Sequence, residues 1–179
     1  HNLEIFNFKI TNAQGGSLRV YSSFNPKKVN EIKILNQIIK EKSVYKLFKI
    51  STYKKFESKI KNCKYRLQTI LNKFEKSNLS IAGYGAAAKT TTFLNYFDLT
   101  KNRSLKFIFD DNILKQGLYI PGTDKKILSP KKLETLKVDV LIIFAWNYSD
   151  IIIKNIINSK ALRKRKIRFL IPFPRPKII

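Results

Sequence analysis

Leu79-Ser80-Ile81-Ala82-Gly83-Tyr84-Gly85-Ala86-Ala87-Ala88-Lys89 is the segment on which the fold depends. An apolar run leads into two closely spaced glycines, and an alanine-rich stretch suited to start a helix follows. Gly83, Gly85 and Ala88 fit the spacing G-x-G-x-x-G/A of a dinucleotide-type turn. The spacing predicts that Gly83 permits a tight turn, that Gly85 lets a ligand approach the backbone, and that Ala88 keeps helix and sheet close. The helix start then offers the amides of Ala86 and Ala87 to phosphate, with Lys89 as a counter-charge.

Downstream of this turn, short apolar runs alternate with helical stretches. The runs are 79–82, 105–109, 138–145 and 167–171, with a weaker one at 126–128; helices are expected over 86–96, 131–136 and 149–159. Strands alternating with helices imply a doubly wound, mostly parallel sheet. Residues 138–145 are apolar nearly throughout, as in a strand covered on both faces. Pro172, Pro174 and Pro176 should close the last strand and forbid its continuation. Upstream the texture differs. Residues 1–27 look extended around Gly15-Gly16, and 28–77 look helical. Tyr53, Phe56, Ile60, Cys63, Leu67, Ile70 and Phe74 form one apolar stripe there. The expected organisation is a strand pair and long amphipathic helix over 1–78, then a Rossmann-like α/β domain over 79–179.

Composition narrows the function. The 179 residues are 44% hydrophobic and 27% charged, too apolar for disorder. No run approaches the length of a transmembrane span. One cysteine, Cys63, excludes a disulfide framework; with no signal-peptide pattern, a cytoplasmic chain is expected. Cys63 and His1 cannot complete a metal site. Methionine is absent even at position 1, so the chain reads as a piece of a larger protein. Lys plus Arg number 36 against 12 acidic residues, a formal +24. That charge admits nucleic-acid binding, with Arg163–Lys166 as its densest run. The lysines otherwise scatter along the chain without an RNA-recognition pattern, which favours a compositional bias.

Two further clusters join the glycine turn as candidate ligand groups. Asp110 and Asp111 end the second strand of the α/β region, 27 residues after Gly83, where a dinucleotide fold puts its ribose-binding carboxylate. Asn112, Lys115 and Gln116 follow in a loop ending in Gly117, suited to phosphate or sugar hydroxyls or simply to turn formation. Trp146 and Asn147 follow the central strand at the same edge. Three alternatives stand beside a nucleotide site: a Walker A loop running from Gly83 to Lys89-Thr90, a glycine turn that only packs a helix on a sheet, and a free-standing dinucleotide module with Asp110 on the ribose.

Six blocks occur in order: Gly15–Tyr21, Gly83–Lys89, Asp111-Asn112 with Lys115-Gln116-Gly117, Pro121-Gly122-Thr123, Ser129-Pro130, and Ala145–Tyr148. The set resembles the C-terminal domain of S-adenosylmethionine-dependent sugar C-methyltransferases, and the resemblance covers essentially the whole chain. Gln14, Thr90 and Ile113 depart from the residues usual in that family. The resemblance implies a Rossmann-like domain that helps hold a nucleotide-sugar. It also implies an upstream region with the zinc site, the methyl-donor loop and the proton-abstracting residues. On that view the chain binds no cofactor and carries no catalytic residue. Its binding residues would be Gly83, Tyr84, Gly85, Ala86, Ala87, Lys89, Asp110, Asp111, Asn112, Lys115, Gln116, Trp146 and Asn147. Its partners would be the nucleotide-sugar and the upstream methyltransferase domain, with neither membrane nor nucleic acid.

Overall fold

A computed structural model describes residues 1–162 and 165–179. The chain divides into two compact units, 1–59 and 60–179. The boundary falls inside a long helix, whereas the sequence texture changes at 78/79.

In the first unit, β1 (Glu4–Thr11) and β2 (Ser17–Ser23) form an antiparallel pair. Gly15 and Gly16 make the connection with positive φ, as the Gly-Gly break predicts. α1 (Glu31–Ile39) starts at Asn30, whose side chain accepts from the Lys33 amide at 3.3 Å, with Glu31 in the positive first turn. Lys33 ties α1 back to β1 through the Asn7 side chain at 2.8 Å. Helix is not continuous over 28–77. A π-turn at Lys40–Val44 and a left-handed Lys46 (φ 52°) interrupt it before α2 (Ile50–Lys76) begins.

The second unit contains a six-stranded sheet ordered β5-β4-β3-β6-β7-β8. Its elements are β3 (Ile81–Tyr84), α3 (Ala88–Tyr96), β4 (Leu105–Phe109), β5 (Lys126–Leu128), β6 (Val140–Ile143), α4 (Ser149–Asn158), β7 (Arg168–Ile171) and β8 (Lys177–Ile178). All neighbouring strands pair in parallel except β7 and β8. The prolines do end β7. The chain then turns and returns as antiparallel β8, an edge strand that the proline reading did not anticipate. Residues 130–134 form a 3-10 turn instead of an α-helix, and Pro130 occupies its first position.

The sheet is covered on both faces, which is why β6 is wholly apolar. Ile81, Ile108, Ile142 and Phe144 face Leu67, Leu71 and Phe74 of α2 together with Phe93 and Leu94 of α3. Ala82, Leu141 and Ile143 face Ile153 and Ile156 of α4 and Leu133 of the 3-10 turn. Period-two alternation along β3 and β6 thus feeds two separate cores. The stripe on α2 is buried only in its later part: Cys63, Leu67 and Phe74 are buried, while Tyr53 and Phe56 are exposed. Of the basic run, Arg163 and Lys164 lie outside the described residues. The Arg165 guanidinium donates to the carbonyls of Leu133 and Leu136, so this member of the run braces the fold.

Strand order reverses between β3 and β6, which makes the carboxyl ends of these strands the topological switch point. The glycine turn follows β3, and Trp146 follows β6. Among the described residues, no helix is long and apolar enough to cross a membrane.

Candidate functional site

β3 extends through Tyr84, so Gly83 is a strand residue, paired with Ile108 and Ile142. Its lack of a side chain serves packing: a Cβ there would lie 2.6 Å from the Phe144 ring and 3.0 Å from Ile108. The turn itself is made at Gly85, where φ is +97°. A Cβ on Gly85 would lie 2.8 Å from the Cβ of Ala145 and 3.1 Å from its amide nitrogen. The space expected for an approaching ligand on that side is filled by the end of β6. Gly83 is thus a strand residue packed on Phe144 where a turn residue was expected, and Gly85 makes the turn while packing on Ala145. α3 begins at Ala88, two residues later than expected, with Ala87 as an N-cap that makes no side-chain capping bond.

The turn is braced from within. The Thr90 hydroxyl, fully buried, donates to the Gly85 carbonyl at 2.6 Å. A Walker A loop would use that hydroxyl on magnesium; here it holds the turn closed. Asp110 and Lys115 reach across from beyond β4. Asp110 Oδ2 accepts from the Ala86 amide at 2.6 Å, and its Oδ1 accepts from the Asn112 amide at 2.9 Å. Lys115 Nζ donates to the Ala86 carbonyl at 2.9 Å and stands 3.8 Å from Asp110 Oδ2. The carboxylate expected on a ribose instead sits on the Ala86 amide, directly after the glycine turn, which disfavours the free-standing dinucleotide module. The Gln116 side chain donates to the Asp110 carbonyl at 3.0 Å, and Asn112 Oδ1 accepts from the Leu114 amide, so both shape the loop.

Asp111 points elsewhere, accepting from the Tyr84 hydroxyl at 2.7 Å. Burial first, then this bond and the negative Asp111, push the Tyr84 phenol well above its ordinary value and keep it neutral. The adjacent aspartates therefore diverge, as adjacency suggests.

The third cluster does join the turn. Lys89 Nζ lies 4.4 Å from the centre of the Trp146 ring, a cation–π contact between residues 57 positions apart. Trp146 also packs on Phe93 (ring centres 5.8 Å apart) and on Phe173 (5.2 Å). Partial burial pulls the Lys89 ammonium below the usual lysine value, so its charge is incompletely hydrated. Asn147 is exposed beside it. The structure brings together Gly83, Gly85, Ala86, Ala87, Asp110, Lys115, Gln116, Lys89 and Trp146, and sets Asp111 with Tyr84 aside as a separate pair. Thr90, Phe144, Ala145 and Phe173 complete the neighbourhood. Thr90 acts within its own turn, on the Gly85 carbonyl five residues back, whereas no local motif marks Phe144, Ala145 and Phe173, because each acts through space on a distant segment. Among the described residues, no group of three or more His, Cys, Asp or Glu side chains gathers to hold a metal.

Comparison with known proteins places this sheet and turn. Residues 12–174 match the family model of the C-methyltransferase C-terminal domain. The chain belongs to that family. Over all 179 residues it is 25% identical to the C-methyltransferase NovU of Streptomyces niveus, and it spans 42% of that protein's length. Solved structures with some likeness include the UDP-D-quinovosamine 4-dehydrogenase of Vibrio fischeri, at 20% identity and TM-score 0.37, over 50% of this chain and 74% of that one. Another is RSP, a Rex-family repressor, at 23% identity and TM-score 0.31, over 50% of this chain and 48% of that one. The C-methyltransferase family is thus established for a domain whose sheet is parallel apart from its last strand.

Proposed function

We propose that the chain is the substrate-side domain of an S-adenosylmethionine-dependent C-methyltransferase acting on a nucleotide-linked deoxysugar, and that it anchors the nucleotide diphosphate at the start of α3. The observation that carries this reading is the Lys89–Trp146 pair beside the first turn of α3. There the amides of Ala86, Ala87, Ala88 and Lys89 have no intrahelical acceptors, and the dipole favours an anion. A partly dehydrated ammonium adds a charge-assisted contact, worth roughly 1.5–3 kcal/mol.

The role is positional. The parent enzyme would remove a proton beside a keto group of the sugar, leaving that carbon ready to take up a methyl. S-adenosylmethionine, bound in the parent enzyme, would supply the electrophilic methyl. The glycines of this turn offer the donor no open face, because Phe144 and Ala145 fill that side. Holding the diphosphate fixes where the sugar ring lies, and orientation of that kind lowers the entropic barrier of the transfer. The upstream methyltransferase domain is the partner this requires, in a cytoplasmic enzyme.

Calorimetry on the chain tests the reading. A nucleoside diphosphate should bind more tightly than its nucleoside. Lys89→Ala should weaken that binding about tenfold or more, since 1.4 kcal/mol is one decade. Lys106→Ala removes the same charge from an exposed position in β4, near the amino edge of the sheet, and should leave the affinity within about twofold. Equal losses in the two variants would mean diffuse attraction to a +24 chain and would refute the site.

A further inference from the structure

We infer that Asp110 is an internal anion latch on the glycine turn, and that the substrate diphosphate displaces it when it binds. The inference rests on the diphosphate reading and goes beyond it by naming a competitor built into the chain. The Asp110 side chain is 13% exposed and carries a full set of contacts: the Ala86 amide at 2.6 Å, the Asn112 amide at 2.9 Å and Lys115 at 3.8 Å. Lys115 in turn bonds the Ala86 carbonyl at 2.9 Å, so one peptide segment is gripped at both its donor and its acceptor.

A phosphate on this turn calls on the same amide that Asp110 occupies, because Ala86 directly follows the second glycine. One N–H cannot serve two anions, and a carboxylate beside a bound diphosphate repels it. Binding therefore requires Asp110 to leave Ala86. That movement frees Lys115 from its partial ion pair and makes its charge available to the arriving phosphate. The Asn112 amide is released in the same step, which couples the loop 111–117 to occupancy of the turn. The latch also keeps the turn's polar groups satisfied when no ligand is present, since an unpaired buried donor is costly.

The sign of the effect separates this role from the others open to Asp110. An aspartate that binds a ribose loses affinity when neutralised; a competing latch gains it. In the full chain, titrated with inorganic pyrophosphate at fixed salt, Asp110→Asn and Asp110→Ala should each bind about tenfold more tightly than the unmodified chain. Asp111→Asn removes the same charge one residue away, from the Tyr84 hydroxyl rather than from Ala86, and should change affinity by less than about threefold. In the unmodified chain, pyrophosphate should shift the Ala86 and Asn112 amide resonances together, a readout that does not depend on any variant folding. Equal gains at positions 110 and 111 would reduce the effect to net charge and overturn the latch. So would pyrophosphate binding that is unchanged or weakened in the Asp110 variants, or a shift at Ala86 with Asn112 unmoved; either would leave the diphosphate reading standing. No pyrophosphate binding by any form would overturn both.

Discussion

The two ends of β3 are held by the same kind of contact, and the carboxyl end is the one proposed as a ligand site. At the amino end, Asp139 Oδ2 accepts from the Ser80 amide at 2.8 Å, and the Ser80 hydroxyl donates to the Lys137 carbonyl at 2.8 Å. At the carboxyl end, Asp110 Oδ2 accepts from the Ala86 amide at 2.6 Å. In both places an aspartate from a neighbouring strand connection clamps a backbone N–H of the β3 segment. The neighbours differ. Asp139 stands where β6 begins, and its contact serves alignment alone. Asp110 follows β4 and meets the segment that leads into α3, with Lys115 against it and Lys89 over Trp146 in the first turn of that helix. A carboxylate on an amide is a structural brace by default; on the proposed reading it would also be a competitor where the amide belongs to a turn that takes another anion.

The contrast can be broken at several points. The largest effect is expected at Gly85, which belongs to the carboxyl end. Gly85→Ala combines positive φ with a Cβ 2.8 Å from Ala145, and overpacking alone costs about 1–3 kcal/mol. Adding left-handed strain of about 1–2 kcal/mol gives a loss of roughly 2–5 kcal/mol in urea unfolding. Stability unchanged by this substitution would show that the turn is not held against β6. Next is Asp139→Ala, expected to lose about 1–3 kcal/mol by leaving the Ser80 amide unpaired, with pyrophosphate affinity unaltered. A change in that affinity would erase the difference between the two ends.

The smallest effect is at Tyr84. Tyr84→Phe removes the bond to Asp111 and should cost about 1 kcal/mol at neutral pH. Its pH dependence has a definite sign. The folded phenol is raised above its ordinary value of 10.0, so the unfolded chain releases this proton first as pH climbs. Its contribution to stability is complete below pH 10.0 and is lost as pH rises beyond it. The gap between the unmodified chain and Tyr84→Phe should therefore narrow in alkaline unfolding experiments; a gap that stays constant would mean the phenol is not held neutral by the fold.

Much of this molecule is visible in the order of its residues. β4 and β5 coincide with their apolar runs, and α4 departs from its expected span by one residue. Such elements declare themselves because burial repeats along the chain at period two or near 3.6. The break between α1 and α2 was not visible, since the lysine-rich helical texture carries through the π-turn at Lys40–Val44. β8 was hidden because two residues after a proline cluster carry no period at all.

By itself, then, the sequence determined the alternation of strands and helices, the position of the glycine turn after a buried strand, and the gathering of Asp110, Lys115 and Trp146 near one sheet edge. Local pattern suffices for these, because propensity and hydrophobic period act over neighbouring residues. Tertiary structure alone decided that Gly83 answers to Phe144, that Gly85 answers to Ala145, and that Asp110 closes on Ala86 while Asp111 turns to Tyr84. These partners lie on different strands, brought together by the β4-β3-β6 order and its register. Which of two adjacent carboxylates meets the turn depends on the direction each takes from the end of β4, and that is settled by packing across the sheet.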